Sequence, residues 1–196
     1  MSEFHSQAGQ DRFVYAIAVE GQGVMDGVFL DIGCSDPVVI NNTYALEQVG
    51  WRGLLADQSP PDMSARTRSR LLVGDAACID WPAWYGIVGG VIDYLSLDVD
   101  ANAGRVFDSM PWATTRFRII TIGHDAFRFG TETRTRMRSA LGALGYDMVC
   151  PDVMHEGNAF EDWWVDPNMV PSVLYEPFRT HKPTDWRAIV GASESR

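Results

Sequence analysis

Long apolar runs are missing from this sequence, and none approaches the ~20 residues that a membrane-spanning helix requires. The opening stretch from Met1 to Phe13 also lacks the basic-then-apolar form of a secretory signal. Positive charge is in deficit: 16 basic against 26 acidic residues leave a formal charge of −10. A surface of that sign repels phosphate backbones and anionic lipid, so neither a nucleic acid nor a membrane is expected as partner. Cysteine is scarce as well. Cys34, Cys78 and Cys150 are odd in number, widely spaced and without a CxxC pair, which fits a reduced, cytoplasmic setting and argues against a cysteine metal site. Repeats and low-complexity segments are absent.

What remains is 196 residues, 46% of them hydrophobic, enough for one globular domain with a large core. Residues 1–26 read as a helical lead-in packed on the domain, built on the run Phe13 to Val19 and ended by Gly21 and Gly23. From Gly27 the pattern changes to short apolar runs that stop at Asp, Gly or Asn, separated by helix-like stretches. The runs Val28–Ile32, Gly53–Asp57, Leu71–Val73, Val91–Asp98 and Phe117–Ile122 read as five strands. Asn42 or Thr43 is placed to cap a helix that Gly50 closes, and Ser59-Pro60-Pro61-Asp62 to open another. A further helix runs from Thr131 to Leu144. Two last strands, Tyr146–Cys150 and Phe160–Val165, are expected to pair antiparallel across a polar loop of about ten residues. The domain thus covers 27–167, and the proline-bearing tail 168–196 reads as irregular. Strands alternating with helices predict a mostly parallel α/β sheet.

In such a sheet a ligand sits beyond the carboxyl ends of the strands, where strand order reverses. Those positions here are rich in carboxylates: Asp31-Ile32-Gly33-Cys34-Ser35, Asp57, Asp75, Asp98-Val99-Asp100 and Gly123-His124-Asp125. Gly33 permits close backbone approach. Asp57 stands 26 positions after Asp31, near the ~20-residue offset of a ribose-binding carboxylate. Asp75 is placed to meet an adenine amino group. Turn chemistry alone also favours Asp and Gly at strand ends, so no single one of these residues identifies the ligand.

Taken in order, several strings resemble the FkbM-type S-adenosylmethionine-dependent methyltransferases. They are Gly27-Val28-Phe29-Leu30-Asp31-Ile32-Gly33-Cys34-Ser35-Asp36, Asn41-Asn42-Thr43-Tyr44-Ala45-Leu46-Glu47 and Gly50-Trp51-Arg52-Gly53. Matching pieces recur at Ser6–Asp11, Ile92–Asp100, Arg116–Asp125 and Phe160–Val165, so the resemblance spans about residues 6 to 167. It implies a Rossmann-like class I methyltransferase fold: a seven-stranded, mostly parallel sheet with an antiparallel last hairpin and helices on both faces. It also implies S-adenosylmethionine as cofactor and a hydroxyl of a small glycosyl or secondary-metabolite acceptor as substrate. By position Asp31, Gly33 and Ser35 would line the methionine part, Asp57 the ribose and Asp75 the adenine, with Cys34 packed against the cofactor, Asp98 also cofactor-binding, and Asn42 and Thr43 capping the facing helix.

The chain departs from the family pattern at Asp98-Val99-Asp100-Ala101-Asn102, where D-x-E-G-x-E is usual, and at Gly123, where a glutamate is usual. O-methylation needs an in-line approach of about 3 Å and removal of the hydroxyl proton. His124 is the expected general base, with Asp125 or Asp98 holding its tautomer. Asp98, Asp100, Asn102 and His124 are the oxygen-rich set that Mg²⁺ would need, but the shortened and lost acids argue against a metal. His155 is expected in solvent, and Arg134, Arg136 and Arg138 on a solvated helix face. A chain this short has few elements to shape an acceptor pocket, so the irregular tail or a second subunit is expected to complete it. Two alternatives stay open: a non-catalytic binding or assembly module that keeps the fold, and a nicotinamide-dependent oxidoreductase.

Overall fold

The structure is a computed structural model that describes residues 3–81 and 91–191. Parts of the predicted lead-in, domain and tail (1–2, 82–90 and 192–196) lie outside the described residues.

Its centre is one sheet built on strands β1 (Val28–Ile32), β2 (Arg52–Asp57), β3 (Ser69–Val73), β4 (Val91–Leu97), β5 (Arg116–Gly123), β6 (Asp147–His155), β7 (Asn158–Val165) and β8 (Thr184–Asp185). Their spatial order is β3-β2-β1-β4-β5-β7-β6-β8. Strands β3, β2, β1, β4 and β5 run parallel, β7 is antiparallel to both neighbours, and β8 runs parallel to β6. The order reverses between β1 and β4, so the crevice lies beyond the ends of those two strands.

Strands buried on both faces carry near-continuous apolar runs, and β1 is buried at all five positions. Val28, Leu30 and Ile32 join one core with Leu97, Ile120, Ile122 and Trp164, under helices α3 (Ala103–Ser109) and α5 (Glu132–Ala143). Phe29, Leu55, Tyr94, Ile119 and Trp163 fill the opposite core, under α1 (Gln10–Val14) and the π-helical turns Tyr15–Gly21 that continue it. Phe13 of α1 stacks on Trp163 at 4.7 Å between ring centroids.

Four local expectations change. The helix predicted from Ser59 is absent: Asp57 and Asp62 accept the N–H groups of Ser59 and Ser64, which closes side-chain turns in place of a helical ladder. Thr43 holds the N-cap position of α2 (Tyr44–Gln48), one of the two expected, but its side chain caps nothing; Asn41 Oδ1 accepts instead, from the N–H groups of Thr43 (3.0 Å) and Tyr44 (2.8 Å). The last two strands are longer than predicted and meet in a tight hairpin, because Glu156 and Gly157 both take the positive φ that a two-residue turn needs. Pro151 hides β6 in the sequence, and β6 carries irregular register there.

As far as residue 191, the tail after Pro167 is not irregular. It forms α6 (Ser172–Tyr175), a 3₁₀ turn, the eighth strand and α7 (Trp186–Val190), so the predicted seven strands become eight. Here the lead-in and the tail meet: a Cβ at Gly9 would fall 2.7 Å from the Trp186 ring.

Candidate functional site

The carboxyl ends of β1, β2 and β4 open into a cleft of about 470 Å³. Of the residues expected to hold a cofactor, Asp31, Gly33, Cys34, Ser35, Asn42, Asp57, Asp75 and Asp98 line it. Thr43 does not. It is buried behind the wall, where its hydroxyl donates to Asp31 Oδ2 at 2.7 Å. Gln7 and Gln10 line the cleft as well. Sequence reasoning gave them no role, although they belong to the Ser6–Asp11 string.

The loop after β1 is pinned from several sides. Gly33 N–H donates to Ala56 O at 2.8 Å and Ser35 N–H to Asp57 Oδ2 at 3.1 Å. Asn41 Nδ2 donates to the carbonyls of Cys34 (3.0 Å) and Asp36 (2.8 Å), and Asn42 Nδ2 to Ser96 Oγ (3.0 Å). Arg66 reaches in from the loop before β3 and donates to Glu47 (2.8 Å), Asn41 Oδ1 (3.0 Å) and Thr43 Oγ1 (2.9 Å). Nothing in the local sequence around Arg66 marks it as a core residue, because its partners stand far away in the chain.

Burial pushes the Asp31 carboxyl up, against the opposing effects of the Thr43 hydroxyl and Arg66. At the adenine position the Asp75 carboxylate is already engaged: Arg105 donates to it at 2.5 Å, Ala77 N–H at 3.0 Å, and that pairing with Arg105 holds it below the usual carboxylate range. Cys34 is buried, and its thiol is pushed up by burial and by the charges of Asp31 and Asp57. It is packing, not a nucleophile.

A second hollow of about 240 Å³ adjoins the cleft. Asp125, Phe127, His155 and Asn158 stand in its wall, and Gln7, Asp98 and Asp100 line both spaces. Asp98 is pushed up to about 7, first by burial and then by the charges of Asp125, Asp100 and Asp31. Burial and Asp100 also push Asp125 up, opposed by Arg128 and His124. His155, expected in solvent, is a wall residue here, brought in by the unforeseen length of β6.

His124 departs from its expected position. Its side chain is fully buried and lines neither space. The N–H groups of His124 and Asp125 both donate to Phe160 O, which turns the chain away from the strand direction and into α4 (Ala126–Phe129). His124 Nδ1 accepts from Ala126 N–H at 3.1 Å, and Nε2 lies 3.4 Å from Asp152 Oδ1 and 3.6 Å from Asp162 Oδ1. A general base must reach the proton it removes, so the base assignment is corrected. The Mg²⁺ set that included His124 is not assembled either. Asp152 and Asp162 are bound by arginines on α5: Arg134 and Arg138 on Asp152, Arg138 on Asp162. Burial alone would raise Asp162, but Arg138 and His124 outweigh it and hold it below its usual value. Arg134 and Arg138 therefore serve ion pairs rather than a solvated face, and His124→Ala is expected to cost about 1–3 kcal/mol of stability. Thermal melts read that loss, and ligand affinity in the cleft should stay within about twofold of the parent, below 0.5 kcal/mol.

No family model and no curated protein matches the chain. Solved structures do. An O-methyltransferase from Bacillus cereus in complex with SAH is 12% identical and covers 80% of each chain, with a TM-score of 0.53. A candidate rRNA methylase from Clostridium thermocellum is 10% identical over 84% of this chain and 97% of its own, with a TM-score of 0.55. A magnesium protoporphyrin IX methyltransferase from Synechocystis with bound SAM is 14% identical over 80% and 79%, at 0.50. The fold is the α/β, Rossmann-like fold of class I methyltransferases, here with an eight-stranded, mostly parallel sheet. Among the described residues no helix is long and apolar enough to cross a membrane.

Proposed function

We propose that the chain is an S-adenosylmethionine-dependent O-methyltransferase, with the donor in the cleft and a small hydroxylated acceptor, such as a sugar or a secondary metabolite, in the adjoining hollow. The observation that carries this reading is the cleft at the point of strand reversal, with a carboxylate at the end of each of the three strands that open it. Its volume lies within the few-hundred to thousand Å³ range of small-molecule sites. The residues fit the donor. Asp57 spends one oxygen on Ser35 N–H and the other on Ser59 N–H, and each ionised oxygen keeps lone-pair capacity for a ribose hydroxyl. Gly33 keeps the wall at the methionine end flat. The strings that resemble the FkbM type coincide with this wall, and that finer family placement belongs to the proposal too.

Bound there, the donor supplies an activated methyl on a sulfonium. The chain's own residues position the acceptor and take its proton. With His124 turned away, Asp125 and His155 are among the groups in the hollow's wall that can accept it. A binding module that keeps the fold without catalysis is the second reading, favoured by the position of His124.

Calorimetric titration separates these readings. S-adenosylmethionine should bind and NAD should give no heat, while Asp57→Ala should weaken donor binding by about tenfold to hundredfold, the loss of one or two hydrogen bonds to a charged group. No heat at millimolar donor would overturn the proposal. Donor binding without methyl transfer to any hydroxyl compound of a cell extract would favour the module.

A further inference from the structure

This inference rests on the proposed function and concerns how the site tells donor from product. A methyl passed from cleft to hollow must cross their junction, and the described residues that line both spaces are Gln7, Asp98 and Asp100. Gln7 is neutral. Asp100 is already paired, with Arg128 Nη1 donating to it at 2.8 Å, and its side chain is largely exposed. Asp98 differs from both. Its carboxylate receives no hydrogen bond from any described residue, and burial plus neighbouring charge set its ionisation.

Its place at the junction is made by Gly123, where a Cβ would come 2.8 Å from Asp98 Oδ1. The family pattern has a glutamate at that position, so the glycine departure and the placement of Asp98 belong together. The titratable groups around it are nearly all acids: Asp31 on β1, Asp100 after β4, Asp125 after β5 and Glu161 on β7, whose own carboxyl burial pushes well up. The hairpin adds Glu156 and the titratable His155 to the hollow's wall, and the guanidinium there, Arg128, is held by Asp100. A half-buried carboxylate on the wall of both spaces, without a protein donor and faced by other acids, is placed to attract a cation that enters the cleft.

We propose that Asp98 is the counter-ion of the donor's sulfonium, so that the site prefers the charged donor to the neutral thioether left after transfer. Uncharged product would then leave a carboxylate without its partner, which favours release.

The test needs no acceptor. Titrating the protein with S-adenosylmethionine and with S-adenosylhomocysteine at pH 6 and pH 8 reads the preference directly. At pH 8 the donor should bind roughly tenfold or more tighter, as a partly screened ion pair allows. Ionised Asp98 is the form that attracts the cation, and its carboxyl titrates near 7, so the preference should grow as pH rises from 6 to 8. Asp98→Asn should bring the two affinities to within about twofold of each other at both pH values, below 0.5 kcal/mol. Gly123→Ala, which moves the carboxylate without removing it, should lower the preference in the same direction. Equal affinities in the parent protein at pH 8, or a preference that survives Asp98→Asn, would overturn the assignment, and the parent's pH series decides even where a variant fails to fold. Binding of neither nucleoside would instead be the failure of the proposed function.

Discussion

Replacing Arg66 by alanine is expected to cost about 3–5 kcal/mol, the loss typical of stripping one partner from a buried ion pair. The side chains of Arg66 and Glu47 are each 1% exposed, and the guanidinium Nε lies 2.8 Å from Glu47 Oε2. Without it Glu47 keeps the hydroxyl of Ser69 and the N–H of Arg68 (2.7 Å) but has no counter-charge. Asn41 and Thr43 lose a donor each, so the loop that walls the cleft loosens along with the core. Urea unfolding of Arg66→Ala, Glu47→Gln and the double variant measures this. The double variant should recover part of the loss because no charge is then left buried. A cost below about 1 kcal/mol for Arg66→Ala would place the pair among exposed salt bridges and refute its role as an anchor.

Gly33→Ala is expected to weaken donor binding by about a hundredfold or more, near 3 kcal/mol. Gly33 has φ +85°, a conformation that L side chains rarely adopt. An added Cβ would also fall 1.8 Å from Asp98 O, a backbone atom with no rotamer to yield. The ends of β1 and β4 must then separate, at the expense of the Asp98 N–H bond to Ile32 O (2.9 Å) and the Gly33 N–H bond to Ala56 O (2.8 Å). Strain of this kind costs on the order of 1–3 kcal/mol of stability as well. Calorimetry on the folded variant, with circular dichroism to confirm the fold, is the measurement. Unchanged donor affinity would show that the first loop does not bear on the cleft.

The sheet was legible because parallel strands covered on both faces declare themselves as near-continuous apolar runs, as at Val28–Ile32 and Val91–Leu97. The strand ends were legible for the same reason, and eight of the nine expected cofactor residues line one cleft. Direction was not legible. His124 follows its strand as expected, yet Phe160 O captures two successive N–H groups and swings the imidazole toward Asp152 and Asp162. Only the fold brings β7 close enough to do this. Arg66 stayed hidden because the prolines at Pro60 and Pro61 suggested a helix start, whereas long-range bonds to Glu47 and Asn41 decide that segment's path. His155 and the hairpin were obscured by Pro151, which a strand tolerates only where pairing is irregular.

The contact between Gly9 and Trp186 joins segments 177 positions apart. Closing a loop of that length comes late in folding, since its entropy must be met before the contact repays it. On the ribosome α1 emerges long before the residues that cover it, and Phe13 has to wait for Trp163 and Phe178. A nascent chain halted before the tail would therefore carry an unsheathed aromatic face, the kind of surface that chaperones retain.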